Sequence, residues 1–135
     1  MNISHSLPHR ILIVEDSATS RELLRTVLEQ LGHVVMEAAG GEEALRKLQE
    51  GIPDLILLDL KIPPPDGYEL LKAIRRNVHC SSVPVAALTA QAMLGEGEKI
   101  LSAGFDRYLP KPIGPADIRS AVQRLLQQSH VGRGE

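Results

Sequence analysis

Leu55-Ile56-Leu57-Leu58 runs straight into Asp59, and Asp66-Gly67 follow after a short proline-rich turn. A run of consecutive branched apolar residues leaves no face for water, so it reads as a strand covered on both sides with Asp59 at its carboxyl end. Asp66 suits the cap of a helix that carries Leu70, Leu71 and Ile74. Buried strand, tight loop and amphipathic helix make one unit of an α/β sheet.

The same unit recurs in both directions. Upstream, Ile11-Leu12-Ile13-Val14 is a first buried strand. Leu24, Val27, Leu28 and Leu31 then recur at helical spacing, with Gly32 as a fitting terminus. Val34-Val35-Met36 reads as a second strand. Glu42 and Glu43 open a helix through Ala44, Leu45 and Leu48, with Arg46 and Lys47 late and Gly51 beyond. That charge order suits the helix dipole. Downstream, residues 83–88 form a fourth strand with Pro84 near its entry, where proline is tolerated. Residues 93–103 form a weaker helix, because Gly95 and Gly97 each cost it about 1 kcal/mol relative to alanine. Residues 107–109 give a short last strand. Pro115 opens a helix with a stripe at Ile118, Ala121, Val122 and Leu125. Strands alternating with amphipathic helices imply an α/β fold, a five-stranded parallel sheet with helices on both faces. The polar ends read as tails over residues 1–9 and 128–135, leaving one domain over 10–127.

Bulk properties narrow the function. The 135 residues carry a formal net charge of -2, which provides no electrostatic footprint for nucleic acid or an anionic membrane. With 2% aromatics, the core must come from Leu, Ile, Val and Ala. Cys80 is the sole cysteine, so no disulfide within the chain is available and a passive loop thiol is expected. Residues 1–10 hold no apolar stretch of signal-peptide length, and no run approaches the roughly 18 residues of a membrane span. A cytoplasmic protein is expected. His5, His9, His33, His79 and His130 are scattered without metal-site spacing.

Chemistry concentrates at the strand ends. Glu15 and Asp16 follow the first strand, Asp59 the third, Thr89 the fourth, and Lys111 the fifth. Each alone is usually a cap, a turn residue or a solvated charge; Ser17 could cap the first helix as well as Glu15 or Asp16. In a parallel sheet, however, these ends share one edge, where open α/β sheets bind their ligands. Crowded carboxylates repel unless a cation intervenes, and a hard divalent ion such as Mg²⁺ (or Mn²⁺) fits Glu15, Asp16 and Asp59. Asp59 is then the nucleophile for a phosphoryl group. Lys111 would pair one phosphoryl oxygen, and the Thr89 hydroxyl would donate to another.

These segments resemble the receiver domain of two-component response regulators. Ile11-Leu12-Ile13-Val14-Glu15-Asp16-Ser17 is similar to the family's acidic-pair strand, and Asp59-Leu60-Lys61-Ile62-Pro63-Pro64-Pro65-Asp66-Gly67 to its phosphoacceptor loop. Leu88-Thr89-Ala90 matches its switch hydroxyl and Tyr108-Leu109-Pro110-Lys111-Pro112 its lysine segment. The resemblance implies the flavodoxin-like strand order 2-1-3-4-5. It implies direct metal ligation by Asp16 and Asp59, by Glu15 directly or through water, and by the backbone carbonyl of Lys61. It implies Tyr108 as an aromatic switch and a cis Lys111-Pro112 bond. Two departures stand out: Pro65 replaces a frequent methionine, and Lys61 a frequent small or apolar residue.

The function implied is a phosphorylation-dependent switch, not a multiple-turnover enzyme. Its partners are a histidine kinase or His-containing phosphotransfer protein, and a downstream protein at the face of the fourth helix, fifth strand and fifth helix, including Lys99, Arg107 and Arg119. No direct nucleic-acid or membrane contact is expected. The alternatives are a receiver fragment of a hybrid histidine kinase, a metal-dependent aspartyl-phosphate phosphatase, and a flavin or nucleotide module. Against the phosphatase, Lys61 stands where a second acid is usual; against the nucleotide module, Glu15-Asp16 would repel phosphate.

Overall fold

The structure, a computed structural model, describes residues 8–90 and 95–134, with side chains as far as Gln127. Five strands alternate with five helices: β1 (Arg10–Val14), α1 (Ala18–Gln30), β2 (Val34–Ala38), α2 (Gly41–Glu50), β3 (Leu55–Asp59), α3 (Gly67–Arg76), β4 (Val85–Thr89), α4 (Glu96–Ala103), β5 (Arg107–Pro110) and α5 (Pro115–Gly134). The sheet is parallel throughout, in the order β2-β1-β3-β4-β5. The expected α/β architecture and strand order are both present.

Side-chain alternation divides the interior into two layers. Leu12, Val14, Ile56, Leu58, Val85 and Ala87 face α2, α3 and α4. Ile11, Ile13, Leu55, Leu57, Ala86 and Leu88 face α1 and α5. Each fully buried Leu, Ile or Val contributes about 1.5–3 kcal/mol, which is how a chain with so few aromatics holds a sheet. β3 is buried along its whole length because it lies at the centre, between β1 and β4.

The helix starts follow local chemistry. Ser17 caps α1 by accepting from the Ser20 N–H at 3.3 Å. Asp66 and Glu69 form a reciprocal capping box at α3, each bond 2.9 Å. Glu42 and Glu43 lie in the first turn of α2 and Lys47 in its last. Lys111-Pro112 is cis as the resemblance implied, and so is Pro64-Pro65.

Three readings need correction. Gly95 does not weaken α4 from within; it precedes the helix, which starts at Glu96 and is shorter than periodicity suggested. Met93 lies outside the described residues, as do residues 1–7 of the expected tail. Pro84 stands outside β4, which begins at Val85. The third concerns the C-terminus. α5 extends to Gly134 instead of giving way to a tail at 128, because residues 127–131 contain neither glycine nor proline to stop it.

Candidate functional site

Among the described residues, the buried polar or charged ones are Glu15, Asp59 and Thr89, at 1%, 4% and 5% exposure. All sit at the carboxyl edge of the sheet. Glu15 follows β1, Asp59 ends β3 and Thr89 ends β4. Burying such groups costs several kcal/mol unless they are compensated, so their coincidence at one edge is a chemical feature. Exposed Asp16 joins them: carboxylate oxygens of Glu15, Asp16 and Asp59 lie within 4.8 Å of one another.

Lys111, just after β5, supplies the countercharge. Its Nζ donates to Glu15 Oε1 at 2.7 Å and to Asp59 Oδ2 at 2.9 Å. Burial pushes the Glu15 carboxyl up, against the pull of the hydrogen bonds from Lys111 and Ser17, and the charge of Asp59 adds to the rise. Burial also works against the charged form of Lys111, but its bonds to Glu15 and Asp59 outweigh that, and its net shift is upward. The repulsion expected to require a divalent ion is thus partly relieved within the chain.

Backbone groups fix the carboxylates further. The Ser17 N–H donates to Glu15 Oε2 at 3.0 Å, and the Lys61 N–H to Asp59 Oδ1 at 2.9 Å. The Lys111 N–H donates to the Thr89 carbonyl at 2.7 Å, tying the loop after β5 to the end of β4. Gly67 allows α3 to start hard against the phosphoacceptor candidate: a Cβ there would lie 2.7 Å from Leu60 Cα and 2.9 Å from the Asp59 carbonyl oxygen. The oxygen-rich donor set suits a hard divalent cation such as Mg²⁺.

Residues 11–123 match the family model described as response regulator receiver domain. The chain belongs to the response regulator receiver domain family. This receiver is 34% identical over 122 residues to the phosphate regulon transcriptional regulatory protein PhoB of Escherichia coli (strain K12), covering 90% of this chain and 53% of PhoB. The chain therefore spans about half the length of that relative. The chemotaxis response regulator CheY4 of Vibrio cholerae superposes with a TM-score of 0.84 at 29% identity, covering 88% of this chain and 99% of that one. The receiver domain of sensor histidine kinase PA1611 from Pseudomonas aeruginosa PAO1 gives 0.82 at 35% identity, covering 90% and 99%; that structure has a magnesium ion coordinated in its active-site cleft.

Tyr108 of this receiver stands apart from the acidic edge. Its half-buried ring lies over α4 in a notch left by Gly97, where a Cβ would sit 2.5 Å from Oη. Lys99 is exposed, with Nζ 5.3 Å from the Tyr68 ring centre, and Arg119 is exposed while Arg107 is half-buried. Lys61 is exposed beside the site. Cys80 is buried, and burial pushes its thiol up, as suits a passive group.

Sequence reasoning missed three contacts. Arg21 Nη1 donates to the Glu15 carbonyl at 2.8 Å while its Nε pairs with Glu37 at 3.2 Å. Arg21 and Arg25 stand one helical turn apart, a spacing that could have flagged a shared anion. His9 and His33 meet with ring centres 5.6 Å apart, and the His9 N–H donates to His33 Nδ1 at 3.2 Å. Pro65 abuts the start of α2 at Gly41, where a Cβ would lie 2.6 Å from the Pro65 carbonyl oxygen. No periodicity signals the last two. Among the described residues, no helix is long and apolar enough to cross a membrane.

Proposed function

We propose that this receiver is a cytoplasmic signalling switch in which Asp59 accepts a phosphoryl group from a histidine kinase or His-containing phosphotransfer protein. One observation carries the reading: three carboxylates from two strand ends lie within 4.8 Å of one another, with Lys111 bridging the two buried ones. Glu15, Asp16 and Asp59, with the Lys61 carbonyl, would hold Mg²⁺ (or Mn²⁺), whose charge offsets the phosphoryl oxygens as transfer proceeds.

The chain's own residues perform the rest. Asp59 attacks phosphorus through a carboxylate oxygen while the bond from phosphorus to the donor's imidazole nitrogen breaks, and the imidazole leaves with its electron pair. Lys111, already 2.9 Å from Asp59, pairs with a phosphoryl oxygen. Thr89, at the end of the neighbouring strand β4, donates its hydroxyl to another. A groove of about 420 Å³ beside the site, lined by Leu23, Leu24, Ile113 and Ile118 and reaching Glu15 and Lys111, leaves room for the donor's approach.

Phosphorylation replaces a charge of -1 by one near -2. Turning a 1:99 equilibrium into 99:1 takes about 5.5 kcal/mol, well beyond one neutral hydrogen bond of about 1 kcal/mol. Several contacts must move together: Thr89 toward the phosphoryl group, Tyr108 inward, and α4 with them. The downstream protein then reads the face of α4, β5 and α5, where Lys99, Arg107 and Arg119 sit. Nothing in the net charge of -2 favours direct nucleic-acid binding.

Acetyl phosphate with Mg²⁺ followed by intact mass tests the chemistry. The wild type should gain one phosphoryl group and Asp59→Asn none; equal gain by both removes Asp59 from the role. Likeness to the PA1611 receiver supports a second setting for the same chemistry, a receiver carried within a sensor kinase. A metal-dependent phosphatase acting through Asp59 is the reading least supported, and rapid turnover of phosphomonoesters would restore it.

A further inference from the structure

Arg21 is not among the residues assigned to the chemistry, yet it touches the site's backbone. It lies in α1 with its side chain 21% exposed, and it makes two different contacts at once. One guanidinium nitrogen, Nη1, donates to the main-chain carbonyl of Glu15 at 2.8 Å. Another, Nε, pairs with Glu37 Oε1 at 3.2 Å. Glu37 lies in β2 beside Ala38, whose carbonyl accepts the Glu15 N–H at 3.0 Å. The other Glu37 oxygen is held by Arg25 Nη1 at 2.7 Å. The hydrogen bond from Arg25 is the main reason the Glu37 carboxyl stays below its ordinary range, so Glu37 is an anion that braces Arg21.

The Glu15 carbonyl and the Asp16 N–H belong to one rigid peptide plane. Fixing that oxygen therefore fixes the plane from which the Asp16 backbone departs. Glu15 is already held through its N–H by Ala38 and through its carboxylate by Lys111 and Ser17. Asp16 is exposed and, among the described residues, has no side-chain hydrogen bond. Its direction depends on its backbone. The planar guanidinium holds a carboxylate and a carbonyl in fixed directions; a lysine ammonium could reach one or both, but without that fixed fork.

We propose that Arg21 is a positioning residue for divalent cation binding. Braced by Glu37, it clamps the Glu15 carbonyl and keeps the Asp16 carboxylate beside those of Glu15 and Asp59. This rests on the reading of the acidic cluster as a metal site. Partners that orient ligands without touching the metal commonly change affinity by 10–100-fold, so a loss of about tenfold is expected here.

The experiment is a Mg²⁺ titration of the full chain by calorimetry, with urea unfolding in EDTA as a measure of stability without metal. Arg21→Met should weaken Mg²⁺ about tenfold. Arg21→Lys should recover part of that loss, and Glu37→Gln should show a smaller loss. Arg25→Met removes an even closer ion pair with Glu37, 2.7 Å against 3.2 Å, but no contact to Glu15, and should stay within about threefold of wild type. At saturating Mg²⁺ the acetyl phosphate rate of Arg21→Met should return to near the wild-type value, since the defect lies in binding. Wild-type Mg²⁺ affinity in Arg21→Met, or in both Arg21→Lys and Glu37→Gln if Arg21→Met does not fold, overturns the proposal. So does an equal loss in Arg25→Met, which would make the cluster a general brace. Absence of Mg²⁺ binding by the wild type itself would remove the metal reading and this proposal together.

Discussion

Replacing Lys111 by methionine removes the ammonium that bridges two buried carboxylates. Breaking a buried ion pair from one side costs about 3–5 kcal/mol, because the partner is left charged and unpaired. Here two partners are left, Glu15 and Asp59, formerly 2.7 and 2.9 Å from Nζ. The Lys111 side chain is 26% exposed, so water screens part of the interaction and the cost falls to about 2–3 kcal/mol. Unfolding by urea in EDTA at neutral pH measures it. Two further signs identify the cause. Burial already pushes Glu15 up, and without the ammonium the folded chain should hold protons more tightly than the unfolded one, so the variant should regain stability as pH falls from about 7 toward about 5. Adding Asp59→Asn should also restore much of the loss, since one of the two crowded charges disappears. Mg²⁺ should stabilise Lys111→Met by more than it does the wild type, because the cation then meets charge that nothing else offsets. A Lys111→Met chain as stable as wild type in EDTA, with no such pH dependence, would refute this account of the site.

Gly97→Ala puts a methyl 2.5 Å from Tyr108 Oη, so the ring should swing out of its notch; unshifted Tyr108 ring resonances by NMR would contradict this. Gly67→Ala meets backbone atoms that cannot swing aside, at 2.7 and 2.9 Å, and should lose about 1–3 kcal/mol in urea unfolding together with part of its acetyl phosphate reactivity. His33 is held down by burial and by the charge of His9, with Asp54 opposing. Its protonation also removes the Nδ1 acceptor used by the His9 N–H. The unfolded chain then binds the proton more readily, so stability should fall as pH drops below about 6.5, and His33→Gln should flatten that part of the urea midpoint profile.

Much of this was written locally in the chain. Unbroken apolar runs marked the central strands, because burial on both faces removes alternation. Asp66 announced its own helix, and Ser17 settled a cap for which Glu15 and Asp16 also competed. The acidic edge was legible because parallel strands deliver their carboxyl ends to one place, whatever their order. What escaped was the partnership of Lys111 with Glu15, 96 residues away, and of Arg21 with Glu37 across the helix–sheet junction. Pairings between remote positions leave no direct spacing to read; the one-turn spacing of Arg21 and Arg25 hints at a shared anion without naming Glu37. The Gly97 notch escaped for a related reason: a missing side chain looks like a helix defect until the ring that fills its place is known.

The two-layered interior has a consequence for how such a molecule diversifies. The groove proposed for the donor draws on Leu24 and Ile118, which pack on one side of the sheet, whereas Tyr108 of β5 and Ile100 of α4 pack on the other. On the proposed reading, listening and speaking occupy separate rooms with a shared wall, and Asp59 sits at the edge of that wall. Substitutions that refurnish one room should then leave the other's correspondents unchanged.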